Sequence, residues 1–231
     1  MSYRQLSTDK TIKTINRLYN RIEDRFPESS LLKVCMELLQ IANASAGNIE
    51  RIKKPNYLLR GAVGLFLMFC LGAMIYSASL LDIKFHGLEV QDVVALLEAS
   101  INDLLLMGAA VFFLFRIEGQ IKRKKALRSL HELRTIAHVI DMHQLTKDPS
   151  RNPDSNTMHS PKQQLPAFQM GRYLDYCSEM LSLTGKVAAL YANGTDDSVV
   201  LNTINEVEAL TNGLSSKVWQ KIMILKGVEP K

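Results

Sequence analysis

Three side chains that can bind a proton or a cation interrupt an apolar stretch, residues 93–115: Glu98, Asn102 and Asp103. Glu98 and Asn102 are four residues apart, so they share one face of a helix, and Asp103 falls near the middle of the stretch. An ionised carboxylate at the centre of a bilayer costs a few kcal/mol or more. We therefore expect these groups to face other helices or water.

A second apolar stretch, residues 61–81, precedes these acids, and neither stretch contains Lys or Arg. If the two stretches form a helical hairpin, Glu98 lies near Tyr76. Asn102, one turn further on, then lies near Gly72, where backbones can approach closely. This pattern favours polar contacts between helices. Two alternatives remain. The carboxyl groups could line an ion or proton path between subunits, or the span could begin later, so that Glu98 lies in the headgroup region.

Another polar group lies further along the chain and contains three of its five histidines. Most of its members recur every three or four residues and so form a stripe along one side of a helix. A metal site on one helix needs two ligands one turn apart. His138 and Asp141 have that spacing, but His131 and His138 are two turns apart and cannot bind one ion together. A polar network is therefore favoured over a site for a divalent metal or another ligand. The group comprises His131, Arg134, His138, Asp141 and His143, and later carboxylates that could complete a metal site are Asp175, Glu179, Glu206 and Glu208.

The apolar stretches themselves set the architecture. A helix rises about 1.5 Å per residue, so residues 61–81 reach roughly 30 Å, the thickness of the hydrocarbon core of a bilayer. Residues 93–115 are as long. We therefore predict a transmembrane hairpin over residues 57–116, with spans at about 61–81 and 93–115 and a short polar loop between them.

The charges around this hairpin predict its orientation. The loop, residues 82–92, holds three acids and one Lys, whereas basic residues cluster outside both spans. The positive-inside rule then places both termini in the cytoplasm, in a multi-pass protein of the cell (inner) membrane. The basic residues would also contact anionic headgroups of the lipid bilayer. No nucleic-acid partner is expected, because no aromatic stacking platform accompanies them. They are Arg51, Lys53, Lys54, Arg60, Arg116, Lys122, Arg123, Lys124 and Lys125.

The remaining segments read as helical. Residues 1–56 predict a cytoplasmic helical pair, too short for a core of its own, that packs on the C-terminal part or on another subunit. Residues 117–148 lack a strong helix breaker up to Asp148, so we predict a stalk helix that continues the second span to about Leu145. The fold class is thus an all-α membrane protein: a two-helix transmembrane hairpin, a long cytoplasmic stalk helix and a cytoplasmic helical bundle.

Beyond the stalk, residues 149–167 form a Pro-rich loop and residues 168–231 a C-terminal helical segment. Tyr173, Tyr176 and Met180 share one helix face and predict aromatic anchors in a core. Trp219 is expected to anchor the bundle as well. The helical patterns within this segment are residues 168–192, 197–211 and 215–226, with turn signals at Asn193–Gly194 and Asn212–Gly213.

The sequence favours a non-enzymatic protein, because it contains no phosphate-binding loop, HExxH, GxSxG or other catalytic motif. The expected function is that of an oligomeric membrane protein, a homo-oligomer, with a cytoplasmic module that binds protein partners or regulates assembly. The alternative is a small oligomeric cation channel or proton path that uses Glu98 and Asp103. A third reading is a membrane-anchored metal or ligand-binding enzyme that uses the stripe from His131 to His143. No cofactor is expected except in that third case, where a divalent metal would bind.

Overall fold

The structure is a computed structural model of the 231-residue chain and describes residues 6–80, 90–147, 149, 158–159 and 165–227. These residues are almost entirely helical, and no strand occurs among them. The all-α class predicted from the sequence is therefore confirmed for the described part of the chain.

The chain forms two compact units. The bundle unit comprises Met1–Lys53 and Arg123–Lys231, and the hairpin unit comprises Lys54–Lys122. A short 3₁₀ helix, Tyr191–Gly194, follows the fifth of the six α-helices that the described residues form. The α-helices are α1 (Thr8–Arg25), α2 (Ser30–Lys53), α3 (Tyr57–Leu80), α4 (Val90–Leu145), α5 (Ala167–Leu190) and α6 (Ser198–Leu225).

Local capping accounts for the starts of two helices. The hydroxyl of Ser7 accepts a hydrogen bond from the backbone N–H of Lys10 at 3.5 Å and caps α1. A carboxylate oxygen of Asp197 accepts from the N–H groups of Val199 and Val200, at 3.1 and 3.2 Å, and caps α6. Such caps satisfy N–H groups that have no partner within the helix.

The long helix α4 is continuous from Val90 to Leu145, over 56 residues. The prediction of one helix from the second apolar stretch to about Leu145 is therefore confirmed. Gly119 does not break it, since one glycine in a helix costs only about 1 kcal/mol relative to alanine. Through α4 the same helix contributes to both units.

The core of the bundle unit forms around α5, which packs against α6, α1 and α2. The N-terminal helical pair therefore docks on the C-terminal part of the same chain, one of the two outcomes that the sequence left open. Tyr173 and Tyr176 of α5 are buried, as predicted. In α4 an apolar stripe is buried in the same core, formed by Ala126, Leu130, Leu133, Ala137 and Ile140.

The C-terminal segment differs from the prediction in its helix count. A single helix, α6, runs through Asn212 and Gly213, where a turn was predicted. Thr211 and Leu214, on either side of this pair, are both buried. Burying a leucine side chain contributes about 1.5–3 kcal/mol, which outweighs the roughly 1 kcal/mol that a glycine costs in a helix.

Trp219 also differs from the prediction. Its neighbour Val218 is fully buried, as is Ile222, but the indole of Trp219 remains 54% exposed. The ammonium of Lys226 lies 5.8 Å from the centre of the indole ring. Successive helical residues point about 100° apart, so a helix that buries Val218 turns its neighbour away from the core.

Substitution by alanine should change the free energy of unfolding in opposite directions at two helix glycines. A Cβ atom on Gly185 would lie 2.8 Å from Oγ1 of Thr211, whereas one on Gly213 would meet nothing within 4 Å. We expect Gly185→Ala to lower the free energy of unfolding by about 1 kcal/mol or more through overpacking. Gly213→Ala should raise it by up to about 1 kcal/mol through helix propensity. Guanidinium unfolding of both variants measures this difference.

Removing the clash partner provides the control for Gly185. Adding Thr211→Ala to Gly185→Ala should recover part of the lost stability, because the hydroxyl that the new methyl group meets is gone. A Gly185→Ala variant as stable as Gly213→Ala would contradict the close approach of α5 and α6.

The hairpin unit consists of α3 and the N-terminal part of α4. Two helices of the described chain are long and apolar enough to cross a membrane. The predicted span 61–81 lies in α3 up to Leu80, and the predicted span 93–115 lies in α4. Most of the predicted loops, residues 82–92 and 149–167, fall outside the described residues.

Candidate functional sites

A buried carboxylate joins the two helices of the hairpin unit. Glu118 of α4 has a side chain that is 8% exposed. Its Oε1 accepts hydrogen bonds from the backbone N–H of Asn56 at 3.1 Å and from the ammonium of Lys122 at 2.9 Å. Its Oε2 accepts from Nε of Arg60 at 3.3 Å. We call these four residues the Glu118 cluster.

The Glu118 cluster is the feature that sequence analysis missed. Arg60 and Lys122 were assigned to lipid headgroups, and in the structure both contact Glu118. The sequence offered one signal, the spacing of four residues between Glu118 and Lys122, which suits an ion pair on a helix. Arg60 is 58 residues away from Glu118, so only the folded hairpin brings it close.

These contacts lower the pKa of Glu118 to about 2. The hydrogen bond from Lys122 is the largest cause; burial opposes it, and the bonds from Asn56 and Arg60 act with it. Because the folded pKa lies below the usual value, the stabilisation is complete above pH 4.5 and is lost as the pH falls towards 2.

A pH series should reveal this stabilisation. We expect wild type to be more stable than Glu118→Gln at pH 6, with the difference shrinking between about pH 4.5 and pH 2. Thermal unfolding of the full chain in detergent measures it. Glu132→Gln is the control, because Glu132 is half-exposed and its ion pair with Arg128 spans 3.9 Å. A gap between wild type and Glu118→Gln that is the same at pH 2 and pH 6 would contradict the role of Glu118.

The acidic residues of the second apolar stretch are exposed on the isolated hairpin. Asp103 lines a cleft between α3 and α4 with a volume of about 610 Å³. Apart from this carboxylate and Cys70, the lining side chains are apolar. No ion pair of Asp103 occurs among the described residues. The cleft walls are Phe66, Phe69, Cys70, Ala73, Leu106, Met107 and Ala110.

The sequence predicted that Glu98 lies near Tyr76 and that Asn102 lies near Gly72. Within the described part of the chain, no hydrogen bond joins Tyr76 to Glu98, and the Tyr76 ring is exposed. A Cβ atom on Gly72 would meet nothing within 4 Å, so the helices do not approach closely there. The close approach predicted at Gly72 is therefore wrong. The register that positions Asp103 beside Cys70 and Ala73 depends on packing of the whole hairpin.

The polar stripe from His131 to His143 does not form one site in the bundle unit, because its members have different surroundings. His131 and His138 are exposed, while Arg134 pairs with Glu206 at 3.2 Å. Asp141 accepts a hydrogen bond from the amide of Gln144 at 2.6 Å. Over the described ranges, no three His, Cys, Asp or Glu side chains are placed to hold a metal ion. Of the later carboxylates, Asp175 pairs with Arg172 and Glu179 with Arg21.

His143 is the half-buried member of the stripe. Its Nδ1 lies 3.5 Å from the hydroxyl of Ser30 at the start of α2. Burial, and then the positive charge of Lys147, lower the pKa of His143 below its usual value. This imidazole therefore stays neutral at physiological pH and serves a contact between α4 and α2.

The buried thiols of the bundle are inert. Burial raises the pKa of both Cys35 and Cys177 to about 12. The thiolate is the reactive form of cysteine, so neither side chain is a nucleophile at neutral pH.

The other basic residues next to the hairpin lie in different environments. Arg123 contacts Asp197 at 2.7 Å, within the bundle unit, and so ties α4 to the start of α6. Lys125 is half-buried. The others are exposed, Lys54 between α2 and α3 and the rest on their helices: Arg51, Lys53, Arg116 and Lys124.

No protein family, curated protein or solved structure matches this chain significantly. The residues and their geometry therefore carry the functional argument.

Proposed function

We propose that this chain is an oligomeric two-pass membrane protein whose bundle unit is a non-enzymatic module that binds protein partners or regulates assembly. The observation that carries the proposal is the contrast within α4. Its C-terminal half buries an apolar stripe in the bundle, whereas its N-terminal half, over the described residues, exposes nine large apolar side chains between Val94 and Phe115. Exposed apolar side chains of this extent need lipid or another subunit to cover them.

The same exposure extends over α3, so the whole hairpin presents apolar side chains outward. This surface suits insertion in a bilayer with both termini in the cytoplasm, since the basic residues flank the hairpin on that side. The exposed large apolar residues of the hairpin include Leu58, Leu65, Phe66, Met68, Phe69, Ile75, Leu97, Ile101, Leu104, Leu105, Phe112 and Phe113.

Oligomer formation follows from the polar residues among these apolar ones. Asn102 and Asp103 are exposed on the single hairpin. In lipid, such groups favour contact with other helices. A second copy of the hairpin supplies those helices, because two spans alone cannot enclose polar groups on all sides.

The bundle unit offers exposed aromatic residues for a partner. Trp219 on α6 and Phe168 at the start of α5 are both exposed, and each lies beside a basic side chain. Aromatic and arginine side chains dominate binding energy at protein interfaces. These residues therefore support a partner-binding role for the bundle.

Single-cysteine labelling tests the proposed topology. In a cysteine-free background, Asn20→Cys and Asn212→Cys should react with an impermeant maleimide only after the membrane is opened. Lys84→Cys, in the predicted outer loop, should react in intact cells. Carbonate extraction should leave the protein in the membrane fraction. Labelling of Asn20→Cys in intact cells would overturn the topology, and release by carbonate would overturn membrane insertion.

A cation channel is the second candidate. The observation that favours it is Asp103 in its cleft, for which the described residues show no ion pair. A ring of carboxylates from several subunits attracts cations. Cation flux through liposomes with pure protein, abolished by Asp103→Asn, would make the channel the better reading. We expect no flux for either form and unchanged assembly, because asparagine keeps the hydrogen-bonding capacity of aspartate.

A further inference from the structure

An apolar slot lies between α3 and α4, next to the Glu118 cluster. Its volume is about 340 Å³. The Arg60–Glu118 pair lies at one end of the slot. From there the walls extend to Leu67 on α3 and to Val111 on α4, because the two helices run antiparallel. The remaining walls are apolar and include Leu59, Val63, Leu114 and Phe115.

The end of this slot at Arg60 is charged, whereas its walls are apolar. Arg60 and Lys122 both contact Glu118, so two positive charges meet one negative charge and the cluster carries a net charge of +1. Arg60 is 53% exposed and uses its Nε for Glu118. A guanidinium has five N–H donors in a planar fork that fits phosphate oxygens. The charged end therefore complements a phosphate, and the apolar walls complement a hydrocarbon chain.

We propose that this slot binds an anionic glycerophospholipid, with one acyl chain between α3 and α4 and the phosphate on Arg60 and Lys122. The proposal rests on the membrane insertion proposed above. A soluble anion would use only the charged end, whereas each methylene group buried in the slot adds favourable free energy. Glu118 holds the two cations in place for the phosphate.

Gly64 provides a direct means to block the slot. It lines the wall of α3, and a Cβ atom added there meets nothing within 4 Å. Gly64→Leu therefore places a branched side chain at the slot wall, and its Cβ atom meets no neighbour. Gly72→Leu is the matched control: the same substitution on the same helix, in equally open space, at a residue that does not line the slot.

Native mass spectrometry of the full chain in detergent measures the binding. Phosphatidylglycerol and phosphatidylcholine with identical acyl chains serve as probes. We expect wild type and Gly72→Leu to retain one phosphatidylglycerol molecule in preference to phosphatidylcholine, and Gly64→Leu to lose it. Arg60→Gln should weaken phosphatidylglycerol binding about fivefold, as expected for one basic residue at a membrane surface. Arg116→Gln removes an exposed charge outside the slot and should leave this preference unchanged.

Three outcomes would overturn the proposal that the slot binds this lipid. They are equal binding of the two lipids by wild type, unchanged phosphatidylglycerol binding by Gly64→Leu, or equal losses of phosphatidylglycerol by Gly64→Leu and Gly72→Leu. If Gly64→Leu does not fold, Val111→Phe fills the slot from the α4 wall and takes its place. Inorganic phosphate that displaces the lipid completely would also contradict a role for the acyl chain. Carbonate extraction of the same variants separates lipid binding in the slot from membrane insertion. A protein that stays in the membrane fraction but shows no lipid preference contradicts lipid binding and leaves membrane insertion intact.

Discussion

Tyr176→Ala should destabilise the bundle unit by about 3–5 kcal/mol, as large aromatic truncations in a core do. The Tyr176 side chain is 2% exposed and its hydroxyl donates to the carbonyl of Arg21 at 3.2 Å. Its ring meets the ring of Phe26 edge-on, with centroids 6.2 Å apart. Tyr176 thereby fixes the end of α1 on α5, so its loss opens a cavity and frees the N-terminal helices.

Tyr176→Phe is the matched control. It keeps the ring and removes only the hydrogen bond to Arg21, so it should cost about 1 kcal/mol. Guanidinium unfolding of the full chain in detergent, followed by near-ultraviolet circular dichroism, measures both variants. Similar small losses for alanine and phenylalanine would show that α1 does not depend on Tyr176 for its position on α5.

Leu127→Pro should cost about 3 kcal/mol or more, because proline removes a backbone hydrogen bond and its ring clashes with the carbonyl four residues earlier. Leu127 lies in the interior of α4, next to the buried Ala126, and packs partly against the core. A break there also redirects the residues that follow, including Leu130, which is fully buried. Thermal unfolding and the size of the detergent-solubilised assembly measure the effect.

Leu127→Ala separates the helix from the side chain. Alanine is the best helix former, so this variant keeps α4 intact and loses only part of one half-buried side chain. We expect it to be much more stable than Leu127→Pro. If proline at this position left both stability and assembly unchanged, α4 would not be a continuous helix across residue 127.

The sequence by itself determined the features that depend on neighbouring residues. Long apolar stretches predicted two helices able to cross a membrane, since helix length and hydropathy are local properties. The lack of a breaker predicted the continuous α4 to Leu145. The spacing of Tyr173 and Tyr176 predicted the buried face of α5, because side chains three or four apart lie on one side of a helix.

The tertiary structure decided the features that depend on distant residues. Arg60 reaches Glu118 only in the folded hairpin, so a residue that the sequence places at the membrane surface also belongs to an ion-pair cluster. Gly213 lies inside α6 because the buried residues around it outweigh a local turn signal. Trp219 is exposed because burial of Val218 fixes the rotation of that helix. In each case the deciding energy comes from a partner on another helix, and periodicity along one helix does not identify that partner.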